Sequence, residues 1–75
     1  MKHYEFEVLN GDRVVSSRRS VAIRDHKDAW PIITEMAFAT QEAGCRIRVT
    51  DDTGAIVILT GVAAARLHAA TDIAA

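Results

Sequence analysis

The side chains of this 75-residue sequence that could do chemistry are three histidines, one cysteine, three clustered serines and an Asp-Asp-Thr-Gly run. His3, His26 and His68 fall in a strand, a loop and a tail. None lies four residues from another ligand, so the spacing of a helical metal site is absent. Asp51-Asp52-Thr53-Gly54 lacks the alternating oxygen ligands and terminal glutamate of a calcium loop and reads as a tight turn. Cys45 is the only cysteine, which excludes an internal disulfide and a multi-thiolate zinc site. It follows a helix C-terminus, where the negative end of the dipole does not activate a nucleophile, and reads as a buried structural residue. Ser16, Ser17 and Ser20 lack a glycine-flanked elbow, and Gly11, Gly44, Gly54 and Gly61 are isolated turn or cap residues rather than a phosphate loop. The expectation is a protein that is not an enzyme and uses no metal or cofactor.

A second pattern concerns charge. Arg13, Arg18, Arg19, Arg24 and Lys27 fall in one short stretch, offset by Asp12, Asp25 and Asp28. Arginines along one strand could follow a nucleic-acid backbone, and Arg13, Arg18, Arg19 and Arg24 are the candidate contacts. An edge strand protected by charge explains the same residues. The net charge of −1 supplies no attracting field, so nucleic acid is the disfavoured alternative. With 49% hydrophobic and 25% charged residues, the composition is that of an ordered globular chain. No apolar run reaches the ~18 residues of a membrane span, and Glu5 and Glu7 interrupt any leader-like segment, so a cytoplasmic protein with no membrane partner is expected.

The elements that must position these residues follow from periodicity. His3 to Leu9 alternates, with Tyr4, Phe6 and Val8 on one face. Asn10-Gly11 suits a type I′ turn, which would pair Leu9 with Asp12 and Phe6 with Val15, making Val15 part of the core. The second strand is expected from Asp12 to Arg19, with extension to Ile23. From Asp25 the period becomes helical, with Ala29, Ile32, Ile33, Met36, Ala37, Thr40 and Ala43 in one stripe. Asp28 as N-cap keeps Pro31 in the first turn, and Gly44 is the expected terminator. Cys45 to Thr50 and Ala55 to Thr60 form two further strands around the 51–54 turn. Glu5 and Glu7 on the first strand complement Arg46 and Arg48 on the third, which makes those strands neighbours. The fold expected is α+β: a four-stranded antiparallel sheet, ββαββ in spatial order 2-1-3-4, with one helix packed on one face. Residues 1–61 form the domain, and residues 62–75 an alanine-rich tail or short helix.

A domain of this size is marginal without a stabilising device, and self-association is the one its composition leaves open. The turn register places Val57 and Leu59 toward the helix and Ile56 and Ile58 on the open face of an edge strand. Ile56, Ile58 and the off-stripe Phe38 are therefore the candidate interface residues. They serve a homo-oligomer, with a dimer favoured, or another protein partner. The tail is an alternative cover for the edge, and Trp30 and Phe38 are both expected as peripheral core at the rim of the sheet, with an aromatic anchor for a partner as the second reading.

The run Tyr4-Glu5-Phe6-Glu7-Val8-Leu9-Asn10-Gly11, an alanine-containing helix and the run Ile47-Arg48-Val49-Thr50-Asp51-Asp52-Thr53-Gly54-Ala55-Ile56-Val57 resemble a family of small uncharacterised bacterial proteins typical of rhizobia and related alphaproteobacteria. The resemblance covers most of residues 4–60. It departs at Asn10, where such proteins often carry Asp, and in the extension past Gly61. It implies a bacterial, cytoplasmic protein and brings no catalytic residue.

Overall fold

The computed structural model describes residues 1–67. Strand β1 spans Lys2–Asn10, β2 Arg13–Ile23, β3 Arg46–Thr50 and β4 Ile56–Gly61. Helix α1 spans Ala29–Ala39 after a 3-10 turn at His26–Asp28, and residues 62–67 form a second helical segment, α2. The four strands make one antiparallel sheet in the order β2-β1-β3-β4. This is the expected α+β topology, and residues 62–67 take the helical form of the two expected for the segment after Gly61.

Alternation builds the core. Tyr4, Phe6 and Val8 of β1 and Ile47 and Val49 of β3 are buried on one face, beneath Ala29, Ile33, Met36 and Ala37 of α1. Fully burying side chains such as Phe6, Ile33 and Ile47 contributes about 1.5–3 kcal/mol each. Cys45 is buried within this core, and Trp30 packs at its margin, as their positions suggest. The core continues past Gly61, because Val62 and Ala65 are fully buried in it. The domain boundary drawn after Gly61 therefore moves to include α2. The remainder of the tail, residues 68–75, lies outside the described residues, and with it His68 and the question of whether the tail covers β4.

Asp25 caps the 3-10 turn by accepting from the Lys27 amide, and α1 starts at Ala29 with Pro31 in its first turn. The helix ends at Ala39, short of Gly44. Thr40 adopts an extended conformation and its hydroxyl donates back to the Met36 carbonyl at 2.7 Å. Arg66 of α2 donates Nε to the Ala37 carbonyl at 3.1 Å and its guanidinium to the Thr40 carbonyl. A side chain from a distant segment thus satisfies the carbonyls a glycine cap would have served.

The first hairpin corrects the expected register. Asn10 pairs with Arg13, so the loop is Gly11-Asp12, and Gly11 has φ +63°. Positive φ at the first loop position is what a type II′ turn requires. Asn10 instead stays in the strand, and its side-chain amide donates to Glu42 at 2.7 Å. Val15 is an extra residue between the pairs Leu9↔Val14 and Val8↔Ser16, so it bulges out and is half exposed rather than joining Phe6 in the core. A second bulge sets Glu5 against Arg19 and Ser20, between Tyr4↔Val21 and Phe6↔Arg18.

Ser20 takes φ +55°, the only positive φ outside glycine among the described residues. A left-handed conformation costs a residue with a Cβ about 1–2 kcal/mol. Ser20→Gly is therefore expected to hold stability within about 0.5 kcal/mol, while the β-branched Ser20→Val loses about 1–2 kcal/mol in urea unfolding. Equal stability of the two variants would contradict a constrained bulge.

Candidate interaction surface

One face of the sheet carries no second layer among the described residues. Its residues follow from register: Val14, Leu9, Arg46 and Gly61 form one row across β2-β1-β3-β4, then Ser17, Glu7, Arg48 and Leu59, then Arg19, Glu5, Thr50 and Ile56. The middle of this open face is electrostatic. Arg48 donates Nη2 and Nε to the Glu7 carboxylate at 2.7 and 3.1 Å. Arg19 meets Glu5 at 3.0 Å. The expected attraction between β1 and β3 is therefore made by Glu7 and Arg48. Glu5 turns to β2 instead, and Arg46 stands opposite Leu9.

The two edges of the sheet differ in kind. β2 is interrupted by both bulges and carries Arg13, Arg18 and Arg19 along its exposed length. β4 reads Ile-Val-Ile-Leu-Thr-Gly, without a charge. Its single bulge is Val57, the extra residue between Val49↔Ile58 and Thr50↔Ile56. That bulge reverses part of the expected orientation. Ile58 opposes the buried Val49 and packs with Val57 against the core, so it is not on the open face. Leu59, expected inward, stands opposite Arg48 on the open face and is 52% exposed. Ile56 is on the open face as expected, 57% exposed.

Of the other candidate residues, Phe38 is 61% exposed on α1 rather than packed at the rim of the core, away from β4's row on the opposite sheet face. Arg18 is bound to Glu35 of α1 at 2.9 Å and Arg19 to Glu5, while Arg13 and Arg24 lie beyond opposite ends of the polar stretch. Ten residues of strand lie between them, a span of roughly 33 Å, so the four arginines form no single cluster. Leu59 is the residue that sequence reasoning placed on the wrong face. Nothing in Ile56-Val57-Ile58-Leu59 marks which residue bulges, since all four side chains suit either face.

Chemistry-bearing groups are dispersed. His3 is exposed on β1, and His26 sets its ring edge-on to Tyr4 with centroids 5.7 Å apart. Among the described residues no three His, Cys, Asp or Glu side chains converge as metal ligands. Shallow clefts of about 280 and 300 Å³ run between β2 and α1 beside Ser16, Met36 and Thr40. Another, of about 260 Å³, lies beside His3, Ser20 and Asp52. Asp51 is committed to its own turn, where Oδ1 accepts from the Thr53 hydroxyl at 2.6 Å and from the Thr53 and Ala55 amides. The Thr53 hydroxyl, with the two amides, holds its carboxyl below the ordinary value of 3.8. No helix among the described residues is long and apolar enough to cross a membrane.

No family model, curated protein or solved structure matches the chain.

Two outcomes follow from the charges on this face and its adjoining turn. A double-mutant cycle of Glu7→Gln and Arg48→Met should give a coupling of about 1 kcal/mol, because Glu7 is only 13% exposed. The same cycle on the exposed Glu5 and Arg19 should give under about 0.5 kcal/mol. A larger coupling at the second pair would contradict this ordering. For Asp51, the lowered value means that its turn contribution is present above the unfolded carboxyl value and lost as pH falls through the folded one. An NMR titration should find the Asp51 carboxyl titrating below the ordinary aspartate value, and Asp51→Asn should remove its share of the acid-limb loss.

Proposed function

We propose that this chain is a non-catalytic assembly module, a protein-interaction domain that associates with copies of itself through β4 and works in a bacterial cytoplasm. The observation that carries the reading is the contrast between the two sheet edges. β2 has the bulges and arginines that keep other strands away, whereas β4 has an uncharged, β-branched edge bearing exposed Ile56 and Leu59. Size adds support, since a domain of 75 residues gains stability from burying such a surface. The bacterial, cytoplasmic setting rests on the resemblance of the hairpin segments. A nucleic-acid role through Arg13, Arg18, Arg19 and Arg24 has less behind it, because two of the four are already held in ion pairs.

Light scattering on the eluting peak tests the proposal. The wild-type chain at about 100 μM, a Kd range accessible to modest interfaces, is expected near twice its 8.2 kDa mass. Leu59→Lys and Ile56→Lys should return it to the single-chain mass with the circular dichroism unchanged. A wild-type chain that stays at 8.2 kDa, or lysine variants that keep the higher mass, overturns β4 as the association surface. A salt-dependent anisotropy change with labelled nucleic acid by the monomeric chain would favour the arginine reading instead.

A further inference from the structure

We infer that two copies join β4 to β4 in antiparallel, with the two-fold axis at Leu59, to make one continuous eight-stranded sheet. The inference rests on the assembly reading above and specifies its geometry.

The phase of the β3–β4 ladder determines which backbone groups of β4 point away from β3. The Val62 amide donates to the Cys45 carbonyl at 2.9 Å, so Cys45 and Val62 are a hydrogen-bonded pair. Along the same register Ile47↔Thr60 and Val49↔Ile58 share that phase, while Arg46↔Gly61 and Arg48↔Leu59 are the non-bonded pairs between them. The N–H and C=O of Leu59 and the N–H of Gly61 therefore point away from β3, while the Gly61 carbonyl accepts from the Thr60 hydroxyl at 3.4 Å. Beyond the Val57 bulge, the Asp51 amide donates to the Ala55 carbonyl at 2.9 Å. The adjoining pair Thr50↔Ile56 is then non-bonded too, and the backbone of Ile56 also points outward. Ile56, Leu59 and Gly61 are the outward-facing positions, and all three lie on the open face.

An antiparallel copy with its axis at Leu59 satisfies both conditions together. Leu59 stands opposite Leu59 of the other copy, and the bulge brings Ile56 opposite Gly61. Every outward-facing residue meets another on the same face. Moving the axis to Thr60 pairs Leu59 with Gly61 and leaves Ile56 unused. Moving it to Ile58 sets Leu59 against Val57, which packs toward the core. Space agrees with the first choice, because a Cβ placed on Gly61 meets nothing within 4 Å, leaving room for the Ile56 side chain above it. The result is one apolar strip of Ile56 and Leu59 from both copies. The β3 arginines of the two copies lie roughly 14 Å apart, three strand spacings. That exceeds the Debye length of about 8 Å at physiological salt, so their repulsion is weak. An isologous pair of this kind closes, whereas β4 against β2 would be open-ended and would meet the bulges.

Oxidative cross-linking reads the axis directly. Cys45 is buried and stays in place, with the wild-type chain as background control. Leu59→Cys and Ile56→Cys are both at exposed positions that tolerate the change. At the axis the Cα atoms are about 5.5 Å apart, within the disulfide range of about 4.4–6.8 Å. The two copies of residue 56 are roughly 13 Å apart or more. Leu59→Cys is expected to form the covalent dimer at least about tenfold faster than Ile56→Cys under a mild oxidant. If light scattering shows a dimer but Leu59→Cys has no advantage, the axis is wrong and the assembly reading stands. If the wild-type chain is monomeric, both fall.

Discussion

A sheet that does not close has two edges, and the backbone N–H and C=O groups on them must meet water, a cover or another strand. In this small domain that constraint organises most of what is distinctive. β2 meets it by bending out of register twice, at Val15 and at Ser20, and by carrying arginines held by Glu5 and Glu35. Among the described residues β4 has one bulge, at Val57, and no charged side chain. It is short, and it presents Ile56 and Leu59 beside backbone groups that point away from β3. The functional proposal is the consequence of that asymmetry.

The interior depends on the same sheet. β1 and β3, the two inner strands, supply its largest buried side chains, and α1 lies across them with Ile33 and Met36 facing down. α2 closes the far end by burying Val62 and Ala65, while Arg66 caps α1. Covering one sheet face uses both helical segments. Among the described residues the other face has no helix over it, and its central Glu7–Arg48 pair makes it compatible with water there. Polar residues hold the centre of this face, with Ile56 and Leu59 on the β4 side and Leu9 and Val14 near the first hairpin, so no continuous apolar patch favours face-to-face stacking.

The strand order was legible in the sequence because it rests on long-range patterning. The alternation of Tyr4, Phe6 and Val8, the helical stripe from Ala29 and the acidic-basic complement of β1 and β3 all persist under a shift of one residue. Register was not legible, because each error turned on a single extra residue. Asn10-Gly11 and Gly11-Asp12 both suit a two-residue loop, and Ser16-Ser17-Arg18-Arg19 has no apolar phase to choose between them. In β4 every residue from Ile56 to Leu59 is apolar, so the bulge at Val57 left no mark and the faces of Ile58 and Leu59 were exchanged. The helix end was misplaced for another reason: its cap comes from Arg66, which no local pattern near Gly44 reveals. The candidate surface was thus recognisable as a strand, while the residue at its centre required the ladder.

The amide of Leu59 tests the central claim most directly. In an isolated chain it points away from β3 with no partner among the described residues, and it should exchange with solvent deuterium far faster than its neighbour Ile58, which pairs with Val49. If β4 pairs with a second copy about Leu59, that amide is protected to a similar degree as Ile58 at high protein concentration and loses protection on dilution. Rapid, concentration-independent exchange at Leu59 would contradict the account.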